Sequence, residues 1–109
     1  LPSALKKQAV SEVALTEIAF VAIDNESLSI IDKASWLIKP YSDDLIYTQG
    51  AAEVSGITKQ MCEKQGQDIK DVFKEAASFL KKHKKAIGKK DYFELKANLN
   101  SVLFKLLDK

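Results

Sequence analysis

The sequence is poor in the residues that most often carry chemistry. It has one cysteine (Cys62), one histidine (His83) and no arginine among its 109 residues. One cysteine excludes an internal disulfide and any multi-cysteine zinc site, and one histidine excludes a histidine cluster. Without a guanidinium fork the chain cannot read a phosphate or a guanine edge bidentately, so any contact with nucleic acid rests on point charges, backbone amides and stacking. A lysine-only basic complement is equally what an AT-rich genome yields. No apolar run reaches the roughly 18–20 residues of a membrane span, and the start Leu1-Pro2-Ser3-Ala4, followed by Lys6 and Lys7, lacks the apolar stretch of a signal peptide. The expectation is a cytoplasmic protein with no membrane partner. With 46% hydrophobic and 29% charged residues, the composition is that of a folded domain and not of a disordered tail or a fibre.

What is present is unevenly distributed. Residues 1–80 hold 8 lysines and 12 acids (−4), whereas residues 81–109 hold 9 lysines and 3 acids (+6), so the formal net charge of +2 conceals a basic C-terminal quarter. The length suits one domain, 1–109, divided into a hairpin (15–39) and a helical part (48–109).

The run Leu15 to Asp24 is rich in apolar and β-branched residues with weak alternation, as expected of a strand buried on both faces. Asp24-Asn25-Glu26-Ser27 supplies turn chemistry, and a second run from Leu28 to Ile38 ends at Lys39-Pro40, where proline cannot extend a ladder. Together they read as an antiparallel hairpin. After a loop over 40–47, Thr48 is placed to cap a short helix that Gly56 stops, and Thr58 a second one over Lys59–Lys64 that ends at Gly66. Asp68 then sits where an N-cap or first-turn acid helps an amphipathic helix bearing Ile69, Val72, Phe73, Ala76, Phe79 and Leu80, with lysines closing its C-terminal end and Gly88 breaking it. Asp91 is expected to cap a last helix whose stripe is Tyr92, Leu95, Leu99, Val102, Leu103, Leu106 and Leu107.

Few residues suggest a site unaided. Asp43 and Asp44 read as a solvated acidic turn. His83, within Lys81-Lys82-His83-Lys84-Lys85, reads as a surface residue at a helix end, although the run could also contact phosphates. Cys62 reads as a small core residue and Trp36 as a core or hairpin anchor.

The hairpin TEIAFVAIDNESLSIIDKASWLIKP, the segment GAAEVSGITKQM and the helix DIKDVFKEAASFL, in that order over about residues 16–82, resemble the 3′–5′ exonucleases of the ribonuclease-H-like superfamily. Ala51 to Thr58 follow that family's Ala-x-x-Val-His-Gly-Ile-Thr segment, with Ser55 in the histidine's place. The resemblance implies an α/β, ribonuclease-H-like exonuclease fold, incomplete in this chain. The strand that carries Asp-x-Glu would precede Leu1, and the central Asn-x-x-Phe-Asp segment is not found among Lys84 to Lys90.

By the same resemblance the function is 3′–5′ exonucleolytic hydrolysis, proofreading-like, with two Mg2+ or Mn2+ ions about 4 Å apart held by four acids. No catalytic residue and no metal ligand is identifiable in the sequence. The His-x-Ala-x-x-Asp motif would fall on Leu95 and Asn100, which can neither move a proton nor hold a metal; Leu95 belongs equally to the helix stripe. Val54 and Ser55 would contact the terminal nucleotide of a single-stranded 3′ end, Ile57 would pack inward and Thr58 would cap. A polymerase or a second copy of the chain stays open as a partner. Two other readings compete: a degenerate, non-catalytic exonuclease-like module that binds nucleic acid or a protein, and a small α+β interaction domain with an accidental likeness.

Overall fold

The structure is a computed structural model and describes residues 13–107. Its elements are β1 (Glu17–Ile23), β2 (Ile30–Leu37), α1 (Gln49–Ser55), α2 (Lys59–Gln65), α3 (Ile69–Lys82), α4 (Lys84–Ile87) and α5 (Lys89–Leu107). It is an α/β arrangement with a two-stranded antiparallel sheet, as expected of part of a ribonuclease-H-like exonuclease fold.

The strands pair from Glu17 with Leu37 to Ala22 with Asp32, and the register then shifts so that Ile23 meets Ile30. Asp24 closes the connection: its N–H donates to the Ser29 carbonyl (2.9 Å), its carbonyl accepts from Leu28 N–H (2.8 Å), and its carboxylate accepts from Glu26 N–H (3.0 Å). Leu28 takes the left-handed conformation (φ 59°) that this tight return requires.

The expectation of a strand buried on both faces is corrected. Along β1, half-buried Ile18, Phe20 and Ala22 alternate with exposed Glu17, Ala19, Val21 and Ile23. Phe20 stacks on Phe79 of α3 (centroids 5.5 Å apart) and meets Trp36 edge-on (6.1 Å). Among the described residues no element covers the opposite face, so the apolar content of the strand does not translate into burial there.

The core sits where β2 ends. Ile38, Ile69, Val72 and Phe73 are buried together, with Leu15, Ile18, Trp36, Tyr41, Leu99, Leu103 and Leu106 packed around them. Burying an aliphatic or aromatic side chain of this kind contributes about 1.5–3 kcal/mol. Cys62 is fully buried, as a small core residue should be, and Asp43 and Asp44 are exposed. Two main-chain bonds join the end of β2 to the entry of α3: Gln67 N–H donates to Leu37 O (2.9 Å) and Lys39 N–H to Gln67 O (2.8 Å). Asp68 caps α3 by accepting from Lys70 N–H at 2.9 Å.

Two helix boundaries differ from expectation. Helix α3 ends at Lys82 with His83 as its C-cap, well before Gly88, because the His83 ring turns back onto Phe79 (4.8 Å) and the chain leaves the α3 axis there. The short α4 fills the interval. Helix α5 begins at Lys89, with Gly88 (φ 98°) accepting from Tyr92 N–H at 2.9 Å, so that Asp91 lies in the first turn instead of at the cap. Its stripe is only partly used. Tyr92 is buried, and Leu99, Leu103 and Leu106 reach the core, while Leu95, Val102 and Leu107 stay 40–44% exposed.

Candidate nucleic-acid interface

The segment Thr48 to Thr58 is held by its own hydroxyls. Thr48 Oγ1 accepts from Ala51 N–H (3.1 Å) and starts α1, and Thr58 Oγ1 accepts from Met61 N–H (3.2 Å) and starts α2. Between the two helices Gly56 adopts φ 75° and donates to Ala52 O (2.7 Å), a left-handed cap that a side chain would strain. Ser55 Oγ donates to Ala51 O (2.8 Å) and accepts from Ile57 N–H (3.1 Å). Its one hydrogen is therefore committed, and what it offers a ligand is an acceptor lone pair suited to a sugar hydroxyl or a base N–H.

This segment borders a cleft of about 210 Å3. Tyr47, Thr48, Ala52, Ser55, Ile57 and Lys59 are among its walls. Ser55 faces the cleft, whereas Val54, 92% exposed, is not part of its lining and stands in solvent. Ile57 is half-buried. Sequence reasoning missed two further residues here. The Lys59 ammonium lies 5.7 Å from the centroid of the Tyr47 ring, which places one positive charge at the cleft beside an aromatic face. The Tyr47 hydroxyl is buried without a hydrogen-bond partner. Burial, and after it the proximity of Cys62, Tyr41 and Glu63, pushes Tyr47 up to about 12, so the hydroxyl keeps its proton. The Cys62 thiol is likewise pushed up, first by burial and then by Glu63, and its Sγ leans on Thr16 O at 3.9 Å; it is no nucleophile.

The acids do not gather. Among the described residues there is no group of three or more His, Cys, Asp or Glu side chains able to hold a metal ion. Asp32 is engaged elsewhere: its Oδ2 accepts from Lys82 Nζ (2.9 Å) and lies 2.8 Å from His83 Nε2. The bonds from Lys82 and then His83 hold its carboxyl at about 2, against the opposing effect of burial. His83 is thus a half-buried partner of β2 and not the surface residue expected, with 15% of its side chain exposed. The described side chains do not fit a two-metal carboxylate centre. Leu95 and Asn100 supply no ligand either, and Leu95 instead borders an apolar groove with Phe20 and Leu80.

No helix among the described residues is long and apolar enough to cross a membrane. Comparison with known families matches residues 7–109 to the family model RNase_T, described as Exonuclease. No curated protein and no solved structure matches the chain.

Proposed function

Since the chain belongs to the RNase T exonuclease family, we propose that it engages the single-stranded 3′ end of a nucleic acid in the cleft beside Ser55. The activity proposed is 3′–5′ phosphodiester hydrolysis with Mg2+ or Mn2+, the carboxylates coming from outside the described residues. The observation that carries this reading is the family match over 7–109, joined to a cleft at its Val-Ser-Gly-Ile-Thr segment. In that cleft Ser55 accepts a hydrogen bond from the terminal sugar or base and Lys59 attracts a phosphate, while Val54, outside the lining, offers apolar contact from the solvent side.

A specific observation favours a second reading. The scattered acids, with Asp32 already tied to Lys82 and His83, suit a module that binds nucleic acid without cutting it. One experiment separates the two. A 5′-labelled single-stranded oligonucleotide with a free 3′ hydroxyl is incubated with the protein and Mn2+, and binding and shortening are followed together. Shortening from the 3′ end supports the first reading, and binding without shortening supports the second. Equal affinities for the wild type and the Val54→Ala/Ser55→Ala variant would remove the contact assignment.

A further inference from the structure

We propose that the groove between α3 and α5 is a track for the sugar-phosphate backbone of single-stranded nucleic acid, separate from the cleft beside Ser55. The proposal rests on the reading of the protein as one that engages nucleic acid, and it adds a second contact surface to it.

The groove has a volume of about 400 Å3 and four lysines on its walls: Lys70, Lys74 and Lys81 from α3 and Lys96 from α5. No carboxylate lines it. All four lysines are exposed, and among the described residues none forms an ion pair. Helical geometry puts Lys70, Lys74 and Lys81 on one stripe of α3, about 16 Å long at about 1.5 Å per residue, with Lys96 across the seam. A row of like charges of that length matches a chain of phosphates better than a single anion. Ser78 and Asn100 add neutral hydrogen-bonding groups between the charges.

Helix stability does not account for this arrangement. Lys81 in the last turn of α3 complements the helix dipole, but Lys70 stands in the first turn, where a cation opposes it. Lys70 and Lys74 are also a like-charge pair at i, i+4, which disfavours the helix. Lys74 is partly offset by Asp71 at i−3, so it is chiefly Lys70 that costs the helix stability, and a polyanion bound along the seam would offset that cost.

The aromatic end of the groove distinguishes nucleic acid from an acidic peptide. Tyr92 lies in the wall but is itself buried, and the ring open to a base is that of Phe93, 49% exposed just outside the lining, which meets Tyr92 edge-on with centroids 5.3 Å apart. The Lys84 ammonium stands 5.1 Å from both ring centroids. An exposed ring beside a run of ammonium groups is the pairing that stacks an unpaired base while its phosphates are neutralised. Because every cation is a lysine, the track carries no base specificity.

The test is the salt dependence of binding, between about 50 and 200 mM salt, of a labelled single-stranded oligonucleotide to the whole chain. Each neutralised phosphate contributes about 0.7 to the magnitude of the log–log slope. The variant Lys70→Gln/Lys74→Gln/Lys81→Gln/Lys96→Gln is expected to bind at least about ten-fold more weakly at low salt and to lose about 2–3 from that slope. A control carrying Lys33→Gln, Lys39→Gln, Lys64→Gln and Lys105→Gln lowers the net charge equally and is expected to keep most of it.

A second measurement uses only the wild type and does not depend on the variants folding. Acetylation with and without oligonucleotide, read by mass spectrometry, should show Lys70, Lys74, Lys81 and Lys96 protected in the complex and Lys33, Lys39 and Lys64 unprotected. Equal reactivity of the groove lysines in the two states overturns the track, as does displacement of the oligonucleotide by polyglutamate at equal charge. If the oligonucleotide binds and is lost only in the Val54→Ala/Ser55→Ala variant, the track falls and the Ser55 cleft stands. If the wild type binds no oligonucleotide, both fall.

Discussion

His83 Nε2 lies 2.8 Å from Asp32 Oδ2, a contact across 51 residues of sequence that joins the end of α3 to the middle of β2. Lys82 Nζ reaches the same oxygen at 2.9 Å. Two consecutive residues at the end of the helix therefore converge on one carboxylate. The contact locks the hairpin against α3 near the Phe20–Phe79 stack and withdraws Asp32 from any other role.

Acid should expose this lock. Asp32 is held at about 2 by Lys82 and His83, below the ~3.9 of an unfolded aspartate. Between those values the unfolded chain binds more protons than the folded one, so the stability Asp32 contributes is present above about pH 4 and is lost as pH falls toward 2. Asp32→Asn is expected to be less stable than the wild type at pH 5–7, with the difference closing toward pH 2. Urea midpoints measured across that range check it, and superimposable curves for the two proteins would show that the lock adds no stability.

Two glycines should respond in opposite senses to alanine. At Gly66 an added Cβ would lie 2.5 Å from Lys39 N and 2.8 Å from Ile38 C, and closer still to the Cys62 carbonyl. All three are backbone atoms, so the junction between α2 and the end of β2 would have to move, and Gly66→Ala is expected to cost about 2 kcal/mol or more. Gly50 lies inside α1 with open space around it, and Gly50→Ala is expected to stabilise by about 0.5–1 kcal/mol. Thermal melts of both variants give the signs directly.

The contrast between these glycines marks what the sequence makes legible. Local chemistry is readable: Thr48, Thr58 and Asp68 cap the helices that their positions predict, and the Val-Ser-Gly-Ile-Thr string points to the family that the match over 7–109 shows. What depends on the neighbour across space is not. Gly66 looks like an ordinary helix stop until the backbone of β2 is seen against it. His83 sits in a basic run that hides its inward turn, yet β2 held a signal: Asp32, Ala34 and Trp36 alternate, which places an acid on the half-buried face and asks for a partner. Val21 and Ile23 mislead in the other direction, because apolar content does not say which face is covered. The cleft beside Ser55 was only half legible, since Lys59 and Tyr47 join it through packing and not through any motif.

The Tyr47 hydroxyl is buried with no partner, and burying such a group unsatisfied costs roughly 1–3 kcal/mol. Tyr47→Phe removes the hydroxyl and leaves the ring in place against Lys59. The expected result is unchanged stability or a gain of about 1 kcal/mol by chemical denaturation. A loss larger than about 1 kcal/mol would mean that the hydroxyl bonds a group or a water that the fold relies on.

Val54 and Ser55 are adjacent, yet their substitutions should separate contact from scaffold. Val54 is 92% exposed and outside the cleft lining, so Val54→Ala should leave stability within about 0.5 kcal/mol of the wild type. Ser55 Oγ makes two bonds that tie the last turn of α1 to Ile57, and Ser55→Ala should cost about 1 kcal/mol as both are lost. Loss of oligonucleotide affinity in Val54→Ala at unchanged stability would therefore report a direct contact. Loss in Ser55→Ala alone would be read together with its melt, because a loosened α1–α2 junction also moves Lys59 and Tyr47 in the cleft. If Ser55→Ala is as stable as the wild type and still binds less, the acceptor lone pair on Oγ is what the nucleotide uses.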